Sequence, residues 1–395
     1  MECNGVNMAP EIMKREDSSD TNFNVYVGSE TGFLKGICFG LETPMMKELS
    51  DYDKSKKPVP IKTLSWTDPN NRKDLLVGLI DRTVKVYNTK LRAFTQEKRV
   101  QLSDEGESQL VSLSQLDDKY LVGLENGKIS YWNPADSKST IELKAGNHLS
   151  CVKSCPQDSS LFVTGGKEND VKIWKLDSGT TEPIWKARNV PHVLELRVPV
   201  WVQDAAFLPQ TTDLVAIASR YGQLRLYDTK MDNRNRPVIN MEFSDHPAMC
   251  ISPTRNDRQV IVGSAQGKVG LVDIRNYGKE KVVHLFHGFN GSVRSIVADE
   301  NTPYFVSCGL DRFLYLHNLN NRSPVKKLFL KSRLTGVQIT KDFLAQLVNN
   351  SDDLQSSWHN IDMSVLPGAP VPTNAERELI GGPSPKKFRK SKVTS

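Results

Sequence analysis

The sequence predicts an all-β chain in which one strand–turn–strand unit is repeated seven times. The unit recurs without a gap at intervals of 42 to 53 residues, each copy has a polar turn between two apolar segments, and the residues after each turn alternate between apolar and polar. Period-two alternation on either side of a short polar turn is typical of a β-hairpin. The chain of 395 residues is therefore expected to be a repeat array.

The seven copies share one register. A small residue ends the first strand of each copy, and an aliphatic residue follows six positions later in the second strand. The small residues are Gly28, Gly78, Gly123, Gly165, Ala218, Gly263 and Cys308. The aliphatic residues are Leu34, Val84, Ile129, Val171, Leu224, Val269 and Leu314.

The turn between the two strands also repeats. Four copies place a glycine at one equivalent site, where a positive φ is expected: Gly32, Gly127, Gly222 and Gly267. Asn169 is predicted to take this site in the fourth copy, while Arg82 and Arg312 follow an aspartate in the second and seventh copies.

The repeat length and the end of the second strand point to one architecture. Repeats of about 40–45 residues with four strands each are typical of WD40 propeller blades. The strand ends, such as Tyr87-Asn88 and Trp132-Asn133, resemble a degenerate Trp-Asp pair, although no copy has that pair intact. The sequence thus predicts a seven-bladed WD40-type β-propeller with a flexible basic C-terminal tail.

The first blade lacks an inner strand at its N-terminal side, because the repeats begin abruptly at FNVYVGSE. We expect VKKLFLKS (325–332) to be the outer strand of the seventh blade. Leu334–Thr340 is then predicted to pair into the first blade and to close the ring, which removes exposed strand edges.

Composition divides the chain into three parts. Residues 1–22 are predicted to be a disordered segment, 23–340 the propeller, and 341–395 a flexible tail. A basic cluster near the end of the tail predicts a nuclear or nucleolar localisation signal or an RNA-binding arm, with a solvated tail as the open alternative. The cluster consists of Lys386, Lys387, Arg389, Lys390 and Lys392.

Signals for catalysis and for metal or cofactor binding are not found. GSAQGKV (263–269) falls one residue short of a phosphate-binding loop and precedes a strand instead of a helix. The six cysteines do not form metal-ligand pairs, and no catalytic histidine motif occurs. No secretory signal and no run of 18 apolar residues is found. We therefore expect a soluble intracellular protein that is not an enzyme and needs no cofactor, small-molecule substrate or membrane.

The turns suggest a binding surface. Arg82, Lys167, Arg220 and Arg312 come from four blades at the same turn and could form a basic rim for RNA or an acidic partner; ordinary solvated turn residues remain the alternative. The net charge of +6 permits such a partner without requiring one. The enlarged segment 186–209 adds Arg188 and Arg197.

Four stretches resemble one protein family. VGSETGFLKG, GGKENDVKIW, ELRVPVWVQDAAFLP and SCGLDRFLYLH are similar, in order between about 24 and 340, to the WD repeat-containing protein 74 family. The resemblance implies a nucleolar factor that joins precursors of the large ribosomal subunit, is released by a hexameric AAA ATPase and is linked to the helicase of the nuclear RNA exosome.

The resemblance also implies which exposed residues bind the partner. Within the span of the resemblance, from about 24 to 340, these are Glu30, Lys167, Glu168, Asn169, Arg188, Arg197 and Arg312. Trp201 and Asp204 are expected to fix the long loop against the blades.

The leading interpretation is a non-enzymatic ribosome biogenesis factor that docks through one propeller face. Two alternatives stay open. Val272-Asp273-Ile274-Arg275 resembles the WDxR motif of cullin-RING substrate receptors without its aromatic residue, and a general nuclear scaffold would need no RNA.

Overall fold

A computed structural model describes residues 23–39, 44–50, 57–100, 108–116, 119–133, 136–176, 181–190, 198–231, 235–274 and 282–341. The expectations for segment 1–22, for the tail beyond Lys341 with its basic cluster, and for Arg197 and Arg275 fall outside these residues.

The described chain forms 28 strands in seven antiparallel sheets of four. In chain order the strands are β1 (Val25–Ser29), β2 (Leu34–Cys38), β3 (Met45–Glu48), β4 (Ile61–Trp66), β5 (Asp74–Leu79), β6 (Thr83–Asn88), β7 (Ala93–Arg99), β8 (Leu110–Leu116), β9 (Lys119–Leu124), β10 (Lys128–Asn133), β11 (Asp136–Lys144), β12 (Leu149–Ser154), β13 (Leu161–Gly166), β14 (Asn169–Lys175), β15 (Trp185–Lys186), β16 (Val202–Phe207), β17 (Leu214–Ser219), β18 (Gln223–Asp228), β19 (Ile239–Glu242), β20 (Ala248–Pro253), β21 (Gln259–Ser264), β22 (Val269–Asp273), β23 (Val282–Phe286), β24 (Val293–Ala298), β25 (Tyr304–Gly309), β26 (Phe313–Asn318), β27 (Ser323–Phe329) and β28 (Leu334–Ile339).

The sheets are the blades of a seven-bladed β-propeller. Blade 1 contains β28, β1, β2 and β3 in that order, and blades 2 to 7 each contain the next four strands of the chain. The innermost strands β28, β4, β8, β12, β16, β20 and β24 each contact the next one, and the last contacts the first. The predicted fold class is confirmed.

Ring closure occurs where the sequence predicted it. β28 pairs antiparallel with β1, with Val337 opposite Val27 and Ile339 opposite Val25. β27 is the outer strand of blade 7, as expected from VKKLFLKS. The two ends of the described chain thus share one sheet.

The small residue of each repeat has a packing role. A Cβ added at Gly28 would lie 2.7 Å from Cγ2 of Ile61, and one added at Gly165 would lie 2.6 Å from Cγ1 of Val202. Ile61 and Val202 begin the inner strands of the following blades. The repeat therefore needs a small residue here, because neighbouring blades approach closely at this point.

The third strands carry aromatic side chains into the space between blades. Tyr87, Trp132, Trp174 and Tyr227 are buried at equivalent positions, and His317 takes this position in blade 7. Trp174 donates its indole N–H to Oγ1 of Thr164 at 2.9 Å. His317 is also almost fully buried.

Candidate functional site

The seven turns between the second and third strands lie at the same end of the blades as the starts of the inner strands. We call this end the turn face; its turns are 30–33, 80–82, 125–127, 167–168, 220–222, 265–268 and 310–312. The register places them there, because Leu149 at the start of β12 pairs with Gly166 at the end of β13, and Val202 pairs with Ser219.

The cations predicted to form one rim divide into two groups. Lys167 and Arg220 are the first residues of their turns and are exposed. Arg82 and Arg312 occupy the third position, with φ values of 72° and 69°. Arg82 also donates its Nε–H to the carbonyl of Ser108 at 2.7 Å, which fixes the side chain on the neighbouring connection.

The side-chain cations of Lys167 and Arg220 both lie close to the ring of one tryptophan. Nζ of Lys167 lies 4.9 Å from the ring centroid of Trp201, and Cζ of Arg220 lies 4.7 Å from the same centroid. The exposed ring of Tyr221 contacts Trp201 edge-on at 6.5 Å between centroids. We call these four residues, Lys167, Trp201, Arg220 and Tyr221, the Trp201 patch.

The backbone holds this patch in place. Lys167 and Trp201 form an isolated antiparallel bridge, and Arg220 donates its backbone N–H to the carbonyl of Trp201 at 2.9 Å. The patch therefore joins the turn of blade 4, the entry to blade 5 and the turn of blade 5. Trp201, which was expected to fix the long loop against the blades, is tied by these backbone contacts to the turns of blades 4 and 5, and its ring contacts the cations of both turns.

The turn of blade 4 departs from the predicted register. A bulge between Thr164 and Gly166 lets Gly166 pair with Asn169, so that only Lys167 and Glu168 remain in the turn. The positive φ in this turn, 50°, belongs to Glu168 and not to Asn169. At the other four sites the predicted glycines do have positive φ values, from 75° to 86°.

Asn169 is consequently buried, at 5% exposure, and the expectation that it is an exposed partner-binding residue is corrected. Its amide donates to the carbonyls of Gly146 at 3.0 Å and Asn147 at 3.2 Å, and its Oδ1 accepts from Nζ of Lys172 at 2.9 Å. Glu168 is exposed, but its Oε1 accepts the N–H of Val200 at 3.2 Å. Asn169 therefore links blade 4 to blade 3.

Replacing Asn169 with alanine is expected to lower the free energy of unfolding by about 1–3 kcal/mol, because the hydrogen bonds of a buried amide to two partly buried carbonyls are lost. Urea denaturation at neutral pH measures this loss. Asn147→Ala is the matched control, since the Asn147 side chain is exposed and should change stability little. Equal stability of the two variants would contradict this role.

Two further residues predicted to bind the partner, Glu30 and Arg188, lie outside the Trp201 patch. Glu30 is on the turn face, where its carboxylate is 3.6 Å from Arg333. Arg188 is exposed and lines a separate depression of about 450 Å³ with Asp170 and Asn235, beside the last strand of blade 4.

Arg225, which the sequence did not single out, fixes the described part of the long loop. Its buried guanidinium donates to Asn189 at 3.4 Å, to Asn240 at 3.1 Å and to Gln223 at 2.8 Å. Asn189 in turn donates to the carbonyl of Val198. This network ties Asn189 and Val198, on either side of the long loop, to blade 5.

The carboxylate of Asp204, in blade 5, connects blades 4 and 6. It accepts the N–H of Ile251 in blade 6 at 3.1 Å and lies 3.4 Å from Nζ of Lys153 in blade 4. The carboxylate raises the pKa of Lys153 above its ordinary value. Because the Lys153 side chain is 50% exposed, solvent weakens this pair.

A cavity of about 530 Å³ lies between the inner strands of all seven blades. Each inner strand skips one residue in its pairing near its start, and the skipped residue lines this cavity. These residues are Lys62, Val111, Ser150, Gln203, Met249, Arg294 and Thr335. Lys62 and Arg294 thus place two cations along this cavity, and the pKa of Lys62 is lowered, mainly by burial and next by Arg294.

Within the described ranges, no group of three or more His, Cys, Asp or Glu residues lies together in a way that could hold a metal ion. The same part of the chain contains no helix that is long and apolar enough to cross a membrane.

Comparisons with known proteins show the family of the chain. A family model described as WD domain, G-beta repeat matches residues 138–175 and 280–318, each from an outer strand through the first three strands of the next blade. WD repeat-containing protein 74 of Bos taurus is 32% identical over 317 residues, which is 79% of this chain and 79% of that protein. The chain belongs to the WD repeat-containing protein 74 family.

Other relatives extend the similarity to fungi. The human WD repeat-containing protein 74 shows the same identity and coverage as the bovine one. Ribosome biogenesis protein NSA1 of Meyerozyma guilliermondii is 26% identical over 262 residues, covering 56% of this chain and 63% of its own length. Members of the WD repeat-containing protein 74 family are thus similar to fungal proteins named for ribosome biogenesis.

Proposed function

We propose that this chain acts in ribosome biogenesis as a non-enzymatic scaffold that docks on precursors of the large ribosomal subunit through its turn face. The observation that carries the proposal is the similarity over 56–79% of the chain to relatives, two of them named Ribosome biogenesis protein.

The properties of the turn face fit a docking role. It places Lys167 and Arg220 beside exposed aromatic surface, and surface loops held by a rigid scaffold are common binding sites. Charged turns from successive blades produce a field that favours one approach of a charged partner. The mechanism is occupancy, in which the propeller covers a site on the particle until assembly has advanced.

The finer parts of the proposal follow from the family resemblance. A hexameric AAA ATPase releases the protein from the particle. While it is bound to the particle, the protein contacts the helicase of the nuclear RNA exosome. The protein acts in the nucleolus, and the basic cluster from Lys386 to Lys392 directs it there.

Purification from nuclear extract tests the docking role. The tagged full chain should co-sediment with particles that contain large-subunit precursor RNA. The proposal fails if the protein sediments only as a free chain in growing cells. Treatment with RNase before purification distinguishes a ribosomal scaffold from a general nuclear scaffold, whose partners would stay bound. Recovery of a cullin adaptor without ribosomal proteins would instead support a ubiquitin-ligase receptor.

The release step has its own test. When the ATPase carries a substitution that blocks ATP hydrolysis, the fraction of the tagged chain bound to particles should rise. An unchanged distribution would remove the ATPase from the proposal and leave the docking role intact.

A further inference from the structure

The Trp201 patch combines two cations with aromatic surface. Lys167 and Arg220 each lie under 5 Å from the same ring centroid, so their charges are close enough to act on one short ligand. Among the described residues neither cation forms an ion pair with a carboxylate; Arg220 contacts only the side-chain oxygen of Gln203, at 3.4 Å, besides the ring. Both charges are therefore available to an anionic partner.

The acid closest in sequence does not neutralise the patch. Glu168 follows Lys167 in the same turn, but its carboxylate accepts the backbone N–H of Val200. The aromatic part is also accessible, since Tyr221 is 44% exposed and contacts Trp201 only edge-on. A partly exposed tyrosine ring thus adjoins the Trp201 ring that both cations contact.

We propose that the Trp201 patch binds single-stranded RNA, with a base stacked on Tyr221 and phosphates held by Lys167 and Arg220. Aromatic platforms beside basic side chains are the usual means of binding single strands without strict sequence preference. The proposal rests on the proposed function, since a ribosome precursor supplies the RNA, and it assigns the partner class of one part of the turn face.

The geometry favours a single strand over other anions. A duplex keeps its bases stacked inside and offers no base for Tyr221. An acidic peptide would use the two cations and leave the exposed ring without a partner. The patch also continues toward the cavity, because Gln203 contacts Arg220 and lines the same cavity as Lys62 and Arg294. A strand that leaves Tyr221 in that direction meets further positive charge.

Fluorescence anisotropy of the purified full chain with a labelled ten-nucleotide RNA of mixed sequence, measured over a range of salt, tests the proposal. Lys167→Ala with Arg220→Ala should weaken binding more than tenfold. It should also reduce the slope of log affinity against log salt by about 1.4, since each single-strand phosphate contact contributes about 0.7.

Tyr221→Ala should behave differently. It should weaken binding by roughly 5- to 150-fold, the contribution of one stacked base, and leave the salt slope unchanged. Tyr221→Phe should restore binding, because stacking needs the ring and not the hydroxyl. Lys119→Ala is the matched control; it removes a cation 4.9 Å from the Tyr131 ring at the start of β9, at the other end of the blades, and should bind RNA normally.

Three outcomes overturn the proposal: no RNA binding by the unchanged chain, unchanged binding by both variants of the patch, or equal competition by a polyglutamate of the same length. The last would assign the patch to an acidic protein. Because particle association is measured separately in nuclear extract, absence of RNA binding by the unchanged chain together with retained co-sedimentation would reject this inference alone. Loss of co-sedimentation by the unchanged chain would reject the proposed function.

Discussion

Deletion of residues 333–340 is expected to leave the chain insoluble and without a cooperative unfolding transition. The deletion removes β28, whose Leu334, Val337 and Ile339 are almost fully buried. Truncating one such aliphatic side chain to alanine costs about 2–5 kcal/mol. The combined cost for three such side chains approaches or exceeds the whole stability of an ordinary domain, about 5–15 kcal/mol.

The deletion is expected to cost more stability than the loss of these three side chains alone. β28 also supplies the hydrogen-bonding partner of β1 and contacts the inner strands β24 and β4 on its two sides. Without it, β1 presents an unpaired edge, which invites pairing with other chains. The ring opens at the same place, so blades 2 and 7 lose their common neighbour.

Two controls make this test specific to ring closure. Deletion of residues 342–349 removes the same length of chain and leaves all described strands, so this variant should stay soluble. A synthetic peptide of residues 331–341, added to the shorter chain during refolding, should restore solubility by supplying the strand in trans. A soluble chain with normal, cooperative urea unfolding after the first deletion would refute closure by β28.

The hairpins could be predicted because their signals are local. The register from the small residue to the aliphatic residue depends on one turn and the alternation beside it, and the structure reproduces both in blades such as β5 with β6. Closure by β28 was also predictable, because one inner strand was missing at the start and one was left over at the end. Each inference used residues adjacent in sequence or a simple count.

The candidate site was predicted less well because it depends on contacts between blades. Arg82 and Lys167 share a turn in the alignment, yet a bulge in β13 shortens the turn of blade 4 and buries Asn169. The contact of Lys167 with Trp201 spans 34 positions and two blades, and hairpin periodicity contains no information on it. The tryptophan at the end of the long loop, Trp201, was the available signal, and the sequence analysis assigned it to the loop.

Replacing His317 with phenylalanine is expected to raise the free energy of unfolding at pH 7.5 by about 1–3 kcal/mol, the cost of a buried polar group without a partner. The imidazole is 1% exposed, and neither ring nitrogen has a hydrogen-bond partner among the described residues. It stacks on Phe305 at 4.8 Å and on Phe289 at 5.3 Å between centroids. A phenyl ring keeps these contacts and removes the buried N–H.

The same residue makes the folded chain sensitive to acid. Burial, and next the nearby His284, lower the pKa of His317 to about 3, against an ordinary value of 6.5. Between these two pH values the unfolded chain takes up a proton that the folded chain does not, so stability falls as the pH decreases. The loss amounts to about 2 kcal/mol between pH 7.5 and pH 5. His317→Phe should lack this part of the loss.

Urea denaturation of both chains at pH 7.5 and pH 5 measures the difference. The free energy by which His317→Phe exceeds the unchanged chain should grow by about 2 kcal/mol on acidification. His287→Asn removes an exposed histidine on the connection between blades 6 and 7 and should leave the pH dependence as it is. If the free energy of unfolding fell equally on acidification in His317→Phe and in the unchanged chain, His317 would be able to take up its proton in the folded state. Growth of the difference would show that the imidazole at position 317, where blades 2 to 5 have tyrosine or tryptophan, lowers stability by an amount that increases with acidity.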